Sequence, residues 1–157
     1  MRAQDLIAKK TEQAVEGIFR TAHTMPQDKL DWKPLDQGRS ALDQLQEVTR
    51  AATWFSAMLE KQANPEFSEA DWQEARQKSQ SWTTLEQCET RCRENTAKIV
   101  ELIKNCSDDA LAKPIQFGPE GETHTLAEAM TFHHQHLTYH HGQINFIQTL
   151  YGDSENH

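Results

Sequence analysis

The sequence contains few residues that interrupt helices, with only 6 glycines and 5 prolines among 157 residues. These residues cluster, and between the clusters apolar side chains recur at every third or fourth position. The alternation of apolar and polar residues that is typical of strands is almost absent. The pattern therefore predicts an all-helical protein whose helices are separated by a few irregular connections.

Long apolar runs are also absent, and the mean hydropathy is -0.81, which argues against a transmembrane helix. The N-terminal MRAQDLIAKKTEQ lacks the apolar region of a secretory signal. The net charge is -8 and no run of lysine and arginine exceeds two residues, which argues against nucleic acid or an anionic membrane surface as a partner. We therefore predict a cytoplasmic protein.

The 3 cysteines are an odd number without the spacing of a zinc site, which fits a reduced compartment. Cys88 and Cys92 are four residues apart within an apolar stripe. Buried cysteine behaves as a small hydrophobic residue, so we interpret both as core residues and not as metal ligands or nucleophiles.

Four amphipathic segments are long enough to form the helices of a bundle. They run from about Ala3 to His23, from Ser40 to just before Asn64, from Trp82 to Asn105, and from Thr125 to Tyr151. Each has one apolar face that only another helix can bury, so a four-helix bundle is predicted. The connection between the first two helices is roughly 17 residues, long enough either to cross the bundle or to return beside the first helix. We assign residues 1–152 to a single domain and 153–157 to a polar tail.

The connections carry a few local signals of their own. Residues 63–80 are polar and have room for one helical turn around Trp72. The stretch IQFGPEGETHT, residues 115–125, predicts a small hairpin or a flap over the bundle end. Thr125 and Glu128 have the spacing of a capping box, and Gly152 is placed to end the last helix.

The most unusual stretch is HHQHLTYHHGQ, residues 133–143, which holds five of the chain's 8 histidines. At about 100° per residue, His133, His136 and His140 share the face that carries the helix's apolar residues. His134 and His141 lie towards the edge of that face, where solvent contact is expected. Three inward histidines need partners, because an unpaired buried polar group is costly.

His136 and His140 have the i, i+4 spacing that lets two neutral imidazoles bind one divalent ion, and His133 with His136 is a weaker alternative. The competing interpretation is that the histidines bond to backbone carbonyls. A metal site needs a further ligand from another helix, and Glu47 on the second helix lies at the edge of the apolar face. Glu47 has its own alternative, a surface ion pair with Arg50 or Arg39.

The stretch HLTYHHGQI and the later LYG resemble the last helix of DinB-like proteins. This superfamily includes damage-inducible DinB proteins, bacillithiol-dependent transferases and mycothiol-dependent maleylpyruvate isomerases. LDWKPLDQGRSALDQLQEVTRAATWF resembles the family's entry into its second helix. The resemblance implies a four-helix bundle with a long crossover between the first two helices, and a homodimer.

The resemblance also implies a divalent metal, nickel or zinc, on three histidines. The family's paired histidines fall on His136 and His140, and its first histidine falls on Glu47, which is a departure. Two histidines and a carboxylate suit zinc, nickel, iron or manganese. His133 and Gln143 are candidates to support the ligands from behind.

The function implied is that of a metal-dependent enzyme acting on a small-molecule substrate. The ion would activate a thiol, from a low-molecular-weight cosubstrate, or water, for transfer to an electrophile or for hydrolysis. The alternative is a dimeric helical bundle, related to stress responses, that binds metal without catalysis.

Overall fold

The computed structural model describes residues 1–117, 121–155 and 157 and is predominantly helical. Its elements in chain order are α1 (Ala3–Thr24), α2 (Ala41–Lys61), α3 (Glu69–Gln80), α4 (Leu85–Asn105), β1 (Pro114–Phe117), β2 (Glu122–Thr125), α5 (Leu126–Ala129) and α6 (Phe132–Leu150). The four long helices, α1, α2, α4 and α6, form the predicted bundle.

The bundle has an uncommon order of helices around its axis. Both α1 and α2 pack mainly against α4 and α6, so α1 and α2 stand at opposite corners. The connection between them must therefore cross the bundle, which decides between the two paths that the sequence left open. Two apolar clusters fill the interior, one containing Phe19, Leu45 and Ile144, the other Met58, Ile99 and Leu126.

The helix that carries Glu47 has a well-defined start. The Ser40 side chain accepts a hydrogen bond from the Asp43 backbone, and the Asp43 carboxylate accepts one from the Ser40 backbone. This capping box satisfies two amide groups that the first turn would leave unpaired. It fixes where α2 begins, and hence which of its side chains face the interior.

Residues 63–80 hold more structure than the sequence predicts. Instead of one turn around Trp72, α3 extends over 12 residues and packs against α2. Ser79 is its only buried residue among those described, so hydrophobic periodicity gave no signal. The helix starts instead at a capping box formed by Ser68 and Asp71.

The predicted last helix is also corrected. The capping box of Thr125 and Glu128 is present, but it starts the four-residue α5. Met130 and Thr131 then form a turn before α6 begins at Phe132, so the segment is not one continuous helix. At the other end, Gly152 adopts a positive φ of 96° and the chain closes with the amide bonds of a Schellman motif.

The predicted hairpin is confirmed at its two strands. β1 and β2 pair antiparallel, with Ile115 opposite His124. The middle of the predicted flap, residues 118–120, lies outside the described residues. Within the described part of the chain, none of the helices is long and apolar enough to span a membrane.

Candidate metal centre

The histidines of α6 divide between interior and edge largely as their helical phase predicts. His133 and His140 are each 1% exposed, and His136 is partly buried. His141 is less exposed to solvent than its position at the edge of the face predicts. Its Nε2 lies 2.7 Å from the hydroxyl of Thr21, and its ring lies over Gly17 on α1. This histidine therefore joins α1 to α6 while remaining partly exposed at the edge of the face.

The structure brings Glu47 of α2 together with His136 and His140 of α6. The Nε2 atoms of the two histidines are 3.0 Å apart. Glu47 Oε1 lies 3.7 Å from His136 Nε2 and 3.6 Å from His140 Nε2. Within the described residues these three side chains form a group whose donor atoms could hold one ion.

The size of this triangle can be compared with that of a metal site. Bonds of about 2.1 Å at a tetrahedral angle place two ligand atoms about 3.4 Å apart. The three separations in the structure, 3.0, 3.6 and 3.7 Å, lie on both sides of that value. Two imidazole nitrogens and a carboxylate oxygen also form a donor set that divalent transition metals accept. The residues present therefore fit a divalent ion and leave part of its coordination open.

His140 is held in the form that a metal ligand requires. Its Nδ1 hydrogen-bonds to the side-chain oxygen of Gln44, one turn before Glu47 on α2. An amide oxygen only accepts, so Nδ1 donates to it. In the neutral imidazole that binds a metal, this leaves the lone pair on Nε2, the ring nitrogen nearest Glu47. Sequence reasoning missed Gln44. The available signal was its position three residues before Glu47 on the same side of α2.

Glu47 makes both contacts that the sequence suggests, one with the two histidines and one with an arginine. Its Oε1 faces the histidines while Arg39 pairs with its Oε2. The adjacent imidazoles of His136 and His140 are the main cause of a pKa far below the usual range for glutamate, and Arg39 adds to it while burial opposes it. Arg50, the other predicted partner, instead donates to the Ser79 hydroxyl. The carboxylate is thus ionised and oriented.

The two residues predicted to support the ligands lie nearby without bonding to them. His133 Nε2 is 2.9 Å from the hydroxyl of Thr96 on α4. Burial is the main cause of a pKa for His133 of about 3. The ring of Phe55 packs against both His133 and His136. Gln143 has a buried side-chain oxygen with no hydrogen-bond partner in the described part of the structure.

The cysteines lie in the interior, as predicted. Cys88 and Cys92 are fully buried, and burial raises the pKa of their thiols to about 12 and about 11. Neither supplies a thiolate near neutral pH.

Residues 9–144 match the sequence profile of the DinB superfamily. Among curated proteins, no significant match to this sequence is found.

Three solved structures share the fold at low sequence identity. YfiT from Bacillus subtilis, described as a probable metal-dependent hydrolase with an unusual four-helix bundle topology, aligns with a TM-score of 0.80 at 15% identity, over 96% of this chain and 89% of that one. A mycothiol-dependent maleylpyruvate isomerase aligns at 0.71 and 10% identity, over 90% of this chain and 60% of the isomerase. A DinB-like protein of Bacillus subtilis, YjoA, aligns at 0.65 and 14% identity, over 96% and 94%.

Proposed function

Because this chain belongs to the DinB superfamily, we propose that it is a metal-dependent enzyme whose ion is held by Glu47, His136 and His140. The observation that carries the proposal is the convergence of three donor atoms from two helices, with Gln44 and Arg39 orienting two of the ligands. Zinc or nickel suits this donor set, and iron or manganese is also compatible.

When bound, a divalent ion lowers the pKa of a thiol or water in its open coordination position and so supplies a nucleophile near neutral pH. The protein's own contribution is orientation and charge. Gln44 fixes the tautomer of His140, and Arg39 keeps Glu47 in place. Glu47 supplies one negative charge, so two neutral imidazoles and the carboxylate leave a divalent centre with one net positive charge. That charge favours an anionic nucleophile over a neutral one.

The names of two structural neighbours support this class of chemistry. One is called a probable metal-dependent hydrolase and the other a mycothiol-dependent maleylpyruvate isomerase. We therefore propose a small-molecule substrate, and either thiol transfer from a low-molecular-weight thiol to an electrophile or hydrolysis. A homodimer, which the family resemblance implies, is proposed with it.

The function is tested by loading the purified protein with zinc or nickel and measuring metal stoichiometry. Turnover is then measured with a low-molecular-weight thiol plus an electrophile, and separately with ester and amide substrates. We expect one ion per chain and turnover that stops on chelation and returns with metal. A stoichiometric ion with no turnover in either assay would favour a metal-binding bundle without catalysis. The absence of metal would refute the centre itself.

Gln44 gives a prediction specific to this chain. Gln44→Ala should lower metal affinity by about 10- to 100-fold, because His140 loses the partner that fixes its tautomer. Gln46→Ala is the matched control, since Gln46 lies on the same helix and its amide bonds instead to the backbone oxygen of Trp82. Competition with a chelator of known affinity measures both variants. Equal affinities in the two would show that Gln44 does not orient a ligand.

A further inference from the structure

A small polar notch lies between α2 and α3. Its cavity of about 230 Å³ is lined by Arg50 of α2 and by Glu69, Trp72, Gln73 and Arg76 of α3. The residues of α3 recur at spacings of three and four, so they share one face of that helix. This face lines a space shared with α2 and yet is mostly polar, and Ser79 is the only buried residue of α3 among those described. Burial of apolar surface therefore does not explain which side chains α3 presents to α2.

Arg50 is held in place while most of its hydrogen-bond donors stay free. Its Nη1 donates to the hydroxyl of Ser79, 3.1 Å away, and that hydroxyl donates to the backbone oxygen of Arg76. In the described part of the structure this is the only hydrogen bond that the Arg50 side chain makes. A guanidinium has five N–H donors in a planar fork. The side chain is thus oriented beside α3 with donors available for another molecule.

The positive charges of the notch have no acidic partner among the described residues. No carboxylate oxygen there lies within 4.0 Å of a side-chain nitrogen of Arg50 or Arg76. Three other arginines of the chain do pair with carboxylates. Glu69, the acid that lines the same cavity, accepts a hydrogen bond from the amide of Gln73 at 3.2 Å. A partly buried charge without a partner is costly, and an anion between the two arginines would offset that cost.

The surroundings of Arg50 carry an excess of positive charge. Burial is the main cause that lowers the pKa of Arg50, the charge of Glu47 raises it, and Arg76 and Arg39 lower it further. Glu47 does not neutralise three arginines, because it pairs with Arg39 and faces the candidate metal ligands. Positive charge is therefore concentrated here in a chain whose net charge is -8. Such a concentration attracts anions.

The size and position of the notch indicate that it holds one group of a larger ligand. Small-molecule sites usually have roughly 300 to 1,000 Å³, and this cavity is smaller. Arg50 follows Glu47 by three positions in α2, so the Cβ atoms of the two residues are about 5 to 6 Å apart on neighbouring parts of the helix surface. The ring of Trp72 is 42% exposed and offers a flat apolar surface beside the arginines. A ligand with its acidic group in the notch therefore has room to extend towards the candidate metal centre.

We propose that Arg50 and Arg76 together bind the oxyanion, a carboxylate or phosphate group, of a small anionic ligand whose carbon chain packs against Trp72. The assignment of this ligand as the substrate or the thiol cosubstrate rests on the proposed function. The binding itself requires no metal. The ligand class is a small molecule with an acidic group at one end and its reacting group at the other.

Binding is tested by NMR with inorganic phosphate and, separately, with succinate. Each anion is titrated into isotope-labelled protein from which metal has been removed by chelation, at an ionic strength held constant with sodium chloride. The resonance of the Trp72 indole N–H, assigned with the variant Trp72→Phe, reports on the notch. We expect a saturable shift with at least one of the two anions, and the tighter one identifies the group that the notch prefers. The absence of a saturable shift with both anions overturns the inference.

Arg76→Gln removes one of the two arginines and should leave folding unchanged, because Arg76 is exposed. We expect it to weaken anion binding about three- to tenfold, through the loss of a charge-assisted hydrogen bond. Lys78→Gln is the matched control, because it removes the same charge from the same exposed helix at a residue outside the notch. It should bind the anion as the wild type does. Equal weakening in the two variants would show a response to overall charge alone and would overturn the inference.

Glu69→Gln is expected to act in the opposite direction. Glu69 lines the cavity, and its charge repels an anion there. Its removal should strengthen anion binding about two- to threefold. Weaker binding in this variant would contradict an anion site, because it would assign the notch to a cation.

Metal content, measured on the same preparations before chelation, separates this inference from the proposed function. Anion binding to a protein that never holds stoichiometric metal supports the notch and refutes the metal centre. Normal metal content without anion binding supports the centre and overturns the notch. In an active enzyme, the tighter anion should inhibit in competition with the substrate, and less strongly in Arg76→Gln than in the wild type. Equal inhibition of the two proteins would overturn the role of the notch in substrate binding.

Discussion

Replacing His140 with alanine is expected to abolish stoichiometric metal binding and, with it, metal-dependent turnover. His140 is the best supported of the three candidate ligands, being 1% exposed and bonded to Gln44. Loss of an outer partner alone costs about 10- to 100-fold in affinity, so loss of a ligand should cost more than about 100-fold. Metal analysis after dialysis, with circular dichroism to verify folding, measures the effect. His136→Ala should behave in the same way.

Glu47 permits a sharper comparison between two substitutions. Glu47→Ala should lose metal as the histidine variants do, because the third donor atom disappears. Glu47→His should retain it, since it supplies a nitrogen where the family resemblance implies a histidine. If the pairing of Glu47 with Arg39 were its whole role, the two variants would hold the same amount of metal. Equal metal content in Glu47→Ala and wild type would remove Glu47 from the site.

The second large effect is on stability, through His133. Its pKa is lowered from 6.5 to about 3, mainly by burial. As the pH falls below 6.5, the unfolded chain binds a proton at this residue that the folded protein does not bind. The free energy of unfolding should therefore fall by about 1.4 kcal/mol per pH unit down to about pH 3. Between pH 7.5 and pH 5 the expected loss from this residue is about 2 kcal/mol.

His133→Gln tests this prediction, because glutamine can bond to Thr96 but does not titrate. Urea unfolding of both proteins at pH 7.5, 6.5 and 5 should show a shallower decline for the variant. The difference between the two proteins in free energy of unfolding at pH 7.5 measures the effect of the substitution on packing. The change in that difference with pH measures proton binding at His133. The lowered pKa values of His134 and His141 affect both proteins and cancel. Glu47 adds its own loss only near and below its ordinary value of 4.5, outside this range. Parallel profiles would show that His133 binds protons equally in both states.

The sequence predicts the part of the candidate site that follows from helical phase, which is the face on which each side chain lies. The spacing of His136 and His140 predicts that they share one inward face, and Glu47 is an acid at the edge of the apolar face of the second helix. The structure brings all three together. Gln44 could not be predicted in the same way, because its bond to His140 depends on the position of α2 along the bundle axis relative to α6. That position is set by packing between the helices and not by either helix alone.

In the fold, too, features set by neighbouring residues can be predicted from the sequence, while features set by contacts between distant residues cannot. The caps at Ser40 and Thr125 were readable because they depend on residues three positions apart. The sequence predicts one turn around Trp72 where α3 has 12 residues, because the side chains of α3 are almost all exposed and its periodicity is therefore weak. The turn at Met130–Thr131 was missed because the residues on both sides of it favour helix. The contact of His141 with Thr21 could not be predicted, because the two residues are 120 positions apart in the sequence.

The diagonal placement of α1 and α2 has a consequence for the order of folding. α1 has no extensive contact with α2, the helix that follows it, and is buried only when it packs against α4 and α6. Contacts between distant parts of a chain slow folding relative to bundles whose successive helices pair. The two halves of the candidate metal centre lie on α2 and α6, so their donor atoms meet only when the bundle closes. Metal binding should then be among the last steps of folding, and the ion would link α2 to α6 after most of the bundle has formed.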